Sequence, residues 1–129
     1  MEHSATAVAT EMARRFGSGD LDGAFALFAD DVVFEQPASL PHGGRWVGRA
    51  GMSEMGARFG EHWTRTIGEA QIFGDDKRAV QVTPQTWTSK VTGRSATVDV
   101  AEIITAVDGV ITEIRVFQQD TAALLATLN

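Results

Sequence analysis

The chain has 129 residues, 43% hydrophobic and 22% charged, with a net charge of −6 and a pI near 4.9. That length makes one domain, residues 1–129, able to bury roughly two-thirds of its unfolded surface, and the composition is ordinary for a globular protein. The acidic balance speaks against nucleic acid, no apolar run approaches the ~20 residues of a membrane span, and the absence of cysteine excludes disulfides and thiolate chemistry.

The N-terminus MEHSATAVATEMARR has neither a basic start nor an apolar block, so it does not read as a secretory signal, and a cytoplasmic location is expected. Ala5, Val8, Met12 and Phe16 recur at helical spacing and predict a first helix, stopped by Gly17-Ser18-Gly19. Asp20 is a natural N-cap for a second helix bearing Leu21, Phe25 and Phe28. Val32 to Gln36 alternates as a strand with Val32, Phe34 and Gln36 on one face, and Pro37 ends it. Ala38 to Val47 reads as a loop, and a third helix follows with Met52, Met55, Phe59 and Trp63 in one stripe. Three turn signals, Gly74-Asp75-Asp76, Thr92-Gly93 and Asp108-Gly109, divide the second half into strands near 65–73, 78–91, 95–107 and 110–118. Pro84 predicts a bulge that would bring Trp87 into phase with Val80 and Val82. Asp120 caps a last short helix with Leu124 and Leu128. Helices followed by an antiparallel meander make an α+β fold.

In the third of these strands one face reads Ala96, Val98, Val100, Glu102, Ile104, Ala106, which places a single carboxylate on an apolar face. Burial there would raise its pKa and suit it to proton transfer near neutrality. A structural pairing with a buried polar group is the other reading. His42, in the loop LPHGG, has the pKa range of an acid or base, or is simply solvated. His62 suits the C-terminus of the third helix, and His3 falls in an N-terminal tail. Three scattered histidines without ligand spacing give no reason to expect a metal.

The stretch GDLDGAFALFADDVVFEQP, residues 19–37, resembles the opening of the nuclear-transport-factor-2-like fold, in the branch of ketosteroid isomerases and SnoaL-like polyketide cyclases. PHGGRWVGRAG and the last hairpin resemble it more weakly. The resemblance implies a cone: a curved antiparallel sheet packed on three helices of the N-terminal half, enclosing a cavity open at one end. It also implies which positions carry chemistry. The isomerase motif VEDP reads FEQP here, so Gln36 stands at the base position, where an amide orients a polar group but cannot cycle a proton. Met12 stands at the tyrosine position, and the chain has no tyrosine. Glu102 falls at the second acid counted from Gly93-Arg94, although counting back from Arg115 gives Ala101; the alternation favours Glu102. The epoxide-hydrolase set is absent, because Arg115 is followed by Val116.

The resemblance therefore implies a cofactor-free isomerase- or cyclase-like enzyme acting on a small hydrophobic carbonyl compound. Glu102, Gln36 and His42 would do the chemistry. Met12, Phe34, Trp46, Phe59, Trp63, Trp87, Val100, Ile114 and Val116 would line the pocket. A non-catalytic ligand-binding or dimerisation module is the alternative. Such sheets commonly dimerise in the family, and Ile103, on the other strand face, would fit a homodimer interface.

Overall fold

The computed structural model describes residues 3–129. Helix α1 (Ala5–Gly17) opens where the Ser4 hydroxyl accepts the Ala7 amide, and it buries Ala5, Val8, Ala9 and Met12 along one face. At Gly19, with φ +79°, the chain reverses before the Asp20 carboxylate caps α2 (Leu21–Phe25) by accepting from Gly23 N at 3.0 Å. The second helix is a single turn and does not reach Phe28. Phe28 instead begins β1 (Phe28–Gln36), where its ring still packs between Phe25 and Phe34. Asp30-Asp31 lies inside this strand, where the register with its neighbour shifts.

The expected loop contains a short strand, β2 (Gly44–Val47), paired antiparallel with β1. Helix α3 (Gly48–His62) follows, with Met52, Met55 and Phe59 half-buried against the core. Trp63 does not extend its stripe; it is the first residue of β3 (Trp63–Ile67). Gly68 to Ala70 separates β3 from β4 (Gln71–Gly74), so the strand expected near 65–73 is two strands. The hairpin strands β5 (Arg78–Ser89), β6 (Ser95–Val107) and β7 (Val110–Gln118) come next, then α4 (Thr121–Ala126), capped by Asp120. Asp108 (φ 51°) and Gly109 (φ 80°) form the tight turn between β6 and β7, both in the left-handed region as such hairpins require. His3 is exposed, with its ring beside Gly109.

The seven strands form one curled sheet in the order β2-β1-β7-β6-β5-β3, with β4 also paired to β5. The pairing is antiparallel except between β1 and β7, which run parallel, so the sheet is mixed rather than wholly antiparallel. Pro84 makes no bulge in β5. The β5–β6 register runs unbroken from Arg78↔Thr105 to Thr88↔Ser95, through Pro84↔Asp99. Pro84 lies where the neighbouring edge breaks between β3 and β4, and its carbonyl accepts from Gly68 N at 2.7 Å. A residue that cannot donate there leaves no ladder bond unmade.

Because β5 is straight in register, its inner face is Ala79, Gln81, Thr83, Gln85, Trp87 and Ser89, all buried. Val80 and Val82 point outward. Trp87 faces the helices as expected, but in phase with glutamines rather than valines. Among the described residues no helix is long and apolar enough to cross a membrane.

Candidate active site on the inner face of the sheet

The strand registers lay the inner face out in rows. Phe34, Ile114, Ile104 and Ala79 form an apolar row across β1, β7, β6 and β5. One step along the strands, Val116, Glu102 and Gln81 pair directly, with Gln36 continuing the row on β1. Beyond it lie Gln118, Val100 and Thr83, then Gln85, then Trp87 beside Arg65 of β3. The inner face is therefore greasy toward α1 and amide-rich in the middle. It becomes aromatic and cationic at the β3 edge.

Glu102 lies in this row and Ala101 points outward. The one-residue disagreement in counting has a structural source: the β6–β7 register shifts between Thr105 and Ala106. A count back from Arg115 that assumes a regular hairpin lands one residue short. Gln81 Nε2 donates to Glu102 Oε1 at 3.2 Å. Desolvation raises the Glu102 pKa, partly offset by that hydrogen bond and by the field of Arg65. The carboxylate nonetheless keeps some access. Glu102 and Gln36 are half-buried, whereas Val100 is 2% and Ile104 0% exposed.

Gln36 contributes an amide with unused capacity. Its Oε1 accepts weakly from Gln118 Nε2 at 3.5 Å, and its own Nε2 meets only the Met55 sulfur at 3.6 Å. It stands two strands from Glu102, about 10 Å across the sheet. On β5, Trp87 Nε1 donates to Gln85 Oε1 and Gln85 Nε2 donates to Thr83 Oγ1, each at 2.9 Å. Two buried acceptors, Gln81 Oε1 and Gln118 Oε1, have no partner among the described residues. Sequence reading missed Gln81, Thr83, Gln85 and Gln118. The first three alternate with Val80 and Val82, and the valine face was taken as interior, whereas Gln118 continues the Ile114–Val116 face of β7.

His42 is neither solvated nor in reach of this row. It is 3% exposed, enclosed by the rings of Phe59 (5.3 Å), Trp87 (5.8 Å) and Trp63 (6.0 Å), and its carbonyl accepts from Trp46 Nε1. Gly43 makes this possible, since a Cβ there would lie 2.3 Å from the Pro37 carbonyl oxygen. Its Nδ1 is buried without a partner among the described residues, and burial, helped by Arg65 and His62, pushes its pKa down to about 4. A histidine held neutral in the fold stabilises it fully above the unfolded value near 6.5, and that contribution is lost as the pH falls toward 4. The loss should reach about 3 kcal/mol. Urea titrations at pH 7, 5.5 and 4.5 should show wild type weakening more steeply than His42→Phe. Equal slopes would show that His42 is not the source.

Of the expected lining, Met12, Phe34, Trp63, Trp87, Val100, Ile114 and Val116 are buried, and Trp46 and Phe59 half-buried. Trp63, Trp87, Phe59 and His42 pack on one another and fill the β3 side of the curl. Two surface grooves lie elsewhere. The larger, about 840 Å³, runs between Ser4, Asp75 to Arg78 and Thr105 to Asp108, and neither groove touches Glu102. Among the described residues, no group of three His, Asp or Glu side chains is arranged to hold a metal.

A family model described as a SnoaL-like domain matches residues 9–114. An NTF2-like protein of Burkholderia xenovorans is 25% identical over 95% of this chain and 93% of its own, with a TM-score of 0.80. An NTF2-like protein of Burkholderia thailandensis is 18% identical over 100% and 99%, with a TM-score of 0.88. A Pseudomonas putida protein provisionally named a polyketide cyclase is 14% identical over 99% and 100%, with a TM-score of 0.77. No curated protein matches significantly.

Proposed function

The chain belongs to the SnoaL-like domain family, and on that premise we propose that it is a cyclase- or isomerase-like enzyme that moves a proton on a small hydrophobic carbonyl compound. One observation carries the reading: a partly accessible carboxylate with a raised pKa, set in an otherwise apolar and amide-lined wall. Ionised Glu102 takes a proton from the carbon next to the carbonyl. The Gln36 amide, whose N–H has only a sulfur for company, donates to the oxygen as negative charge develops there. Glu102 then returns the proton to a different carbon, or the enolate carbon attacks a second carbonyl, whose oxygen takes the proton from Glu102 as the ring closes. Gln36 thus takes the oxyanion's side of the reaction and Glu102 the base's.

Hydrogen–deuterium exchange tests this without knowledge of the natural substrate. In deuterated water the protein should accelerate exchange of the acidic protons of β-tetralone by about a hundredfold over buffer. Glu102→Gln should return the rate to that of buffer. A second reading, a non-catalytic binding or dimerisation module, draws on the position of these two grooves, which do not reach Glu102. Wild-type exchange at the buffer rate would favour it.

The partner we propose for the outer face is a second copy of the chain. Phe73, Val80, Val82, Ala101, Ile103 and Phe117 share that face on adjacent strands, with Phe73 58% and Phe117 44% exposed. An isologous contact would cover two such patches at once. Light scattering should give a dimer at micromolar concentration, and Ile103→Asp a monomer that melts near the wild-type temperature. A monomeric wild type would remove the proposal.

A further inference from the structure

Arg65 has no role in the chemistry above, yet it stands on the same wall. It follows Trp63 on the inner face of β3 and pairs across the strands with Trp87. Its guanidinium lies 4.8 Å from the centre of the Phe59 ring. Arg14, Arg15, Arg49, Arg58 and Arg115 each have a carboxylate within 4 Å. Arg65, like Arg45 and Arg78 on the outer face and Arg94 in a turn, has none among the described residues, and its side chain makes no hydrogen bond to them. It is nevertheless close enough to Glu102 and His42 for its charge to bias both titrations. A cation on this wall, exposed at the edge and seated on an aromatic ring, keeps the donors of its planar fork without a partner among the described residues. Arginine in that setting matches a carboxylate bidentately, while neighbouring aromatic rings suit a flat apolar body.

We propose that Arg65 sets the charge preference of the site by holding the carboxylate of an acidic, flat aromatic ligand, whose other end reaches the Glu102–Gln81 row. Gln81 Oε1 in that row and Gln118 Oε1 in the next, both without a partner among the described residues, are acceptors that a ligand hydroxyl would satisfy. This rests on the reading of the inner face as a ligand site, though not on proton transfer by Glu102.

Calorimetric titration of the full chain with naphthoate and with naphthamide, which share a ring system and differ in charge, tests it. Wild type should bind the acid at least about tenfold more tightly than the amide, the worth of one charge-assisted pair. Arg65→Met should bring the two affinities within about twofold by weakening the acid alone. Arg65→Lys should restore only part of the preference, having a point charge in place of a fork. The titration needs no turnover, so a failed exchange experiment and a failed titration are told apart. Failure of wild type to prefer the acid, survival of the preference in Arg65→Met, or an equal loss for both ligands would each overturn the proposal.

Discussion

Glu102→Gln should lower turnover by about 10²- to 10⁴-fold while leaving ligand affinity nearly unchanged, because it removes the proton carrier and keeps the shape. The same substitution should stabilise the fold at neutral pH. Wild-type Glu102 has its pKa raised by burial, so between its unfolded value of 4.5 and its folded value the native state binds more protons than the unfolded one. Stability therefore falls as the pH rises through that window and stays lower above it. A neutral glutamine carries no such penalty and still accepts from Gln81 Nε2. Thermal melts from pH 4.5 to 8 should show wild type losing ground to Glu102→Gln as the pH rises, until the carboxylate is fully ionised. This runs opposite to the His42 contribution, which grows with pH, so each substitution reads only its own group. Unchanged turnover would end the proton-transfer role. A variant less stable than wild type at neutral pH would make Glu102 a structural partner of Gln81.

A gain in stability with a loss of activity is the usual mark of a group kept for function at a cost to the fold. That cost was legible in the sequence at Glu102, because one carboxylate interrupts an otherwise apolar alternation and period-2 patterning needs no tertiary information to be read. The same rule failed one strand away. In β5 the apolar residues Val80 and Val82 face outward and Gln81, Thr83 and Gln85 face inward. Alternation yields two faces but does not say which is interior, and a sheet apolar on its outer side inverts the guess. Trp63 was misplaced for a related reason: the spacing Met55, Phe59, Trp63 continues the helical period across the point where α3 has already ended. Phe28 shows the same ambiguity, since aromatic contact with Phe25 is available from helix or strand. The burial of His42 had no local signal. It depends on a loop folded under α3, which only the tertiary structure supplies.

Whether the aromatic cluster around His42 is core or ligand wall has a measurable answer at Trp63. Its backbone joins α3 to β3, its amide bonding back to the Phe59 carbonyl while its strand pairs with Ser89. Its ring is 1% exposed and lies 5.1 Å from that of Trp87 and 5.7 Å from that of Phe59. Its Nε1 donates to Thr127 Oγ1 at 2.8 Å, which fastens the C-terminal helix to the sheet, and Thr127 in turn donates to the Leu124 carbonyl. Trp63→Ala should therefore cost about 3–5 kcal/mol, the usual loss for a large buried ring. In a chain of this length that lowers the melting temperature by about 10–20 °C. Trp63→Phe keeps most of the packing and loses the hydrogen bond, so it should cost about 1–2 kcal/mol. Chemical denaturation of both variants separates the two contributions. A loss below about 1 kcal/mol for Trp63→Ala would contradict a core role. In that case the ring would be a removable wall, and the space it vacates would extend the site past Arg65 on the side away from Glu102.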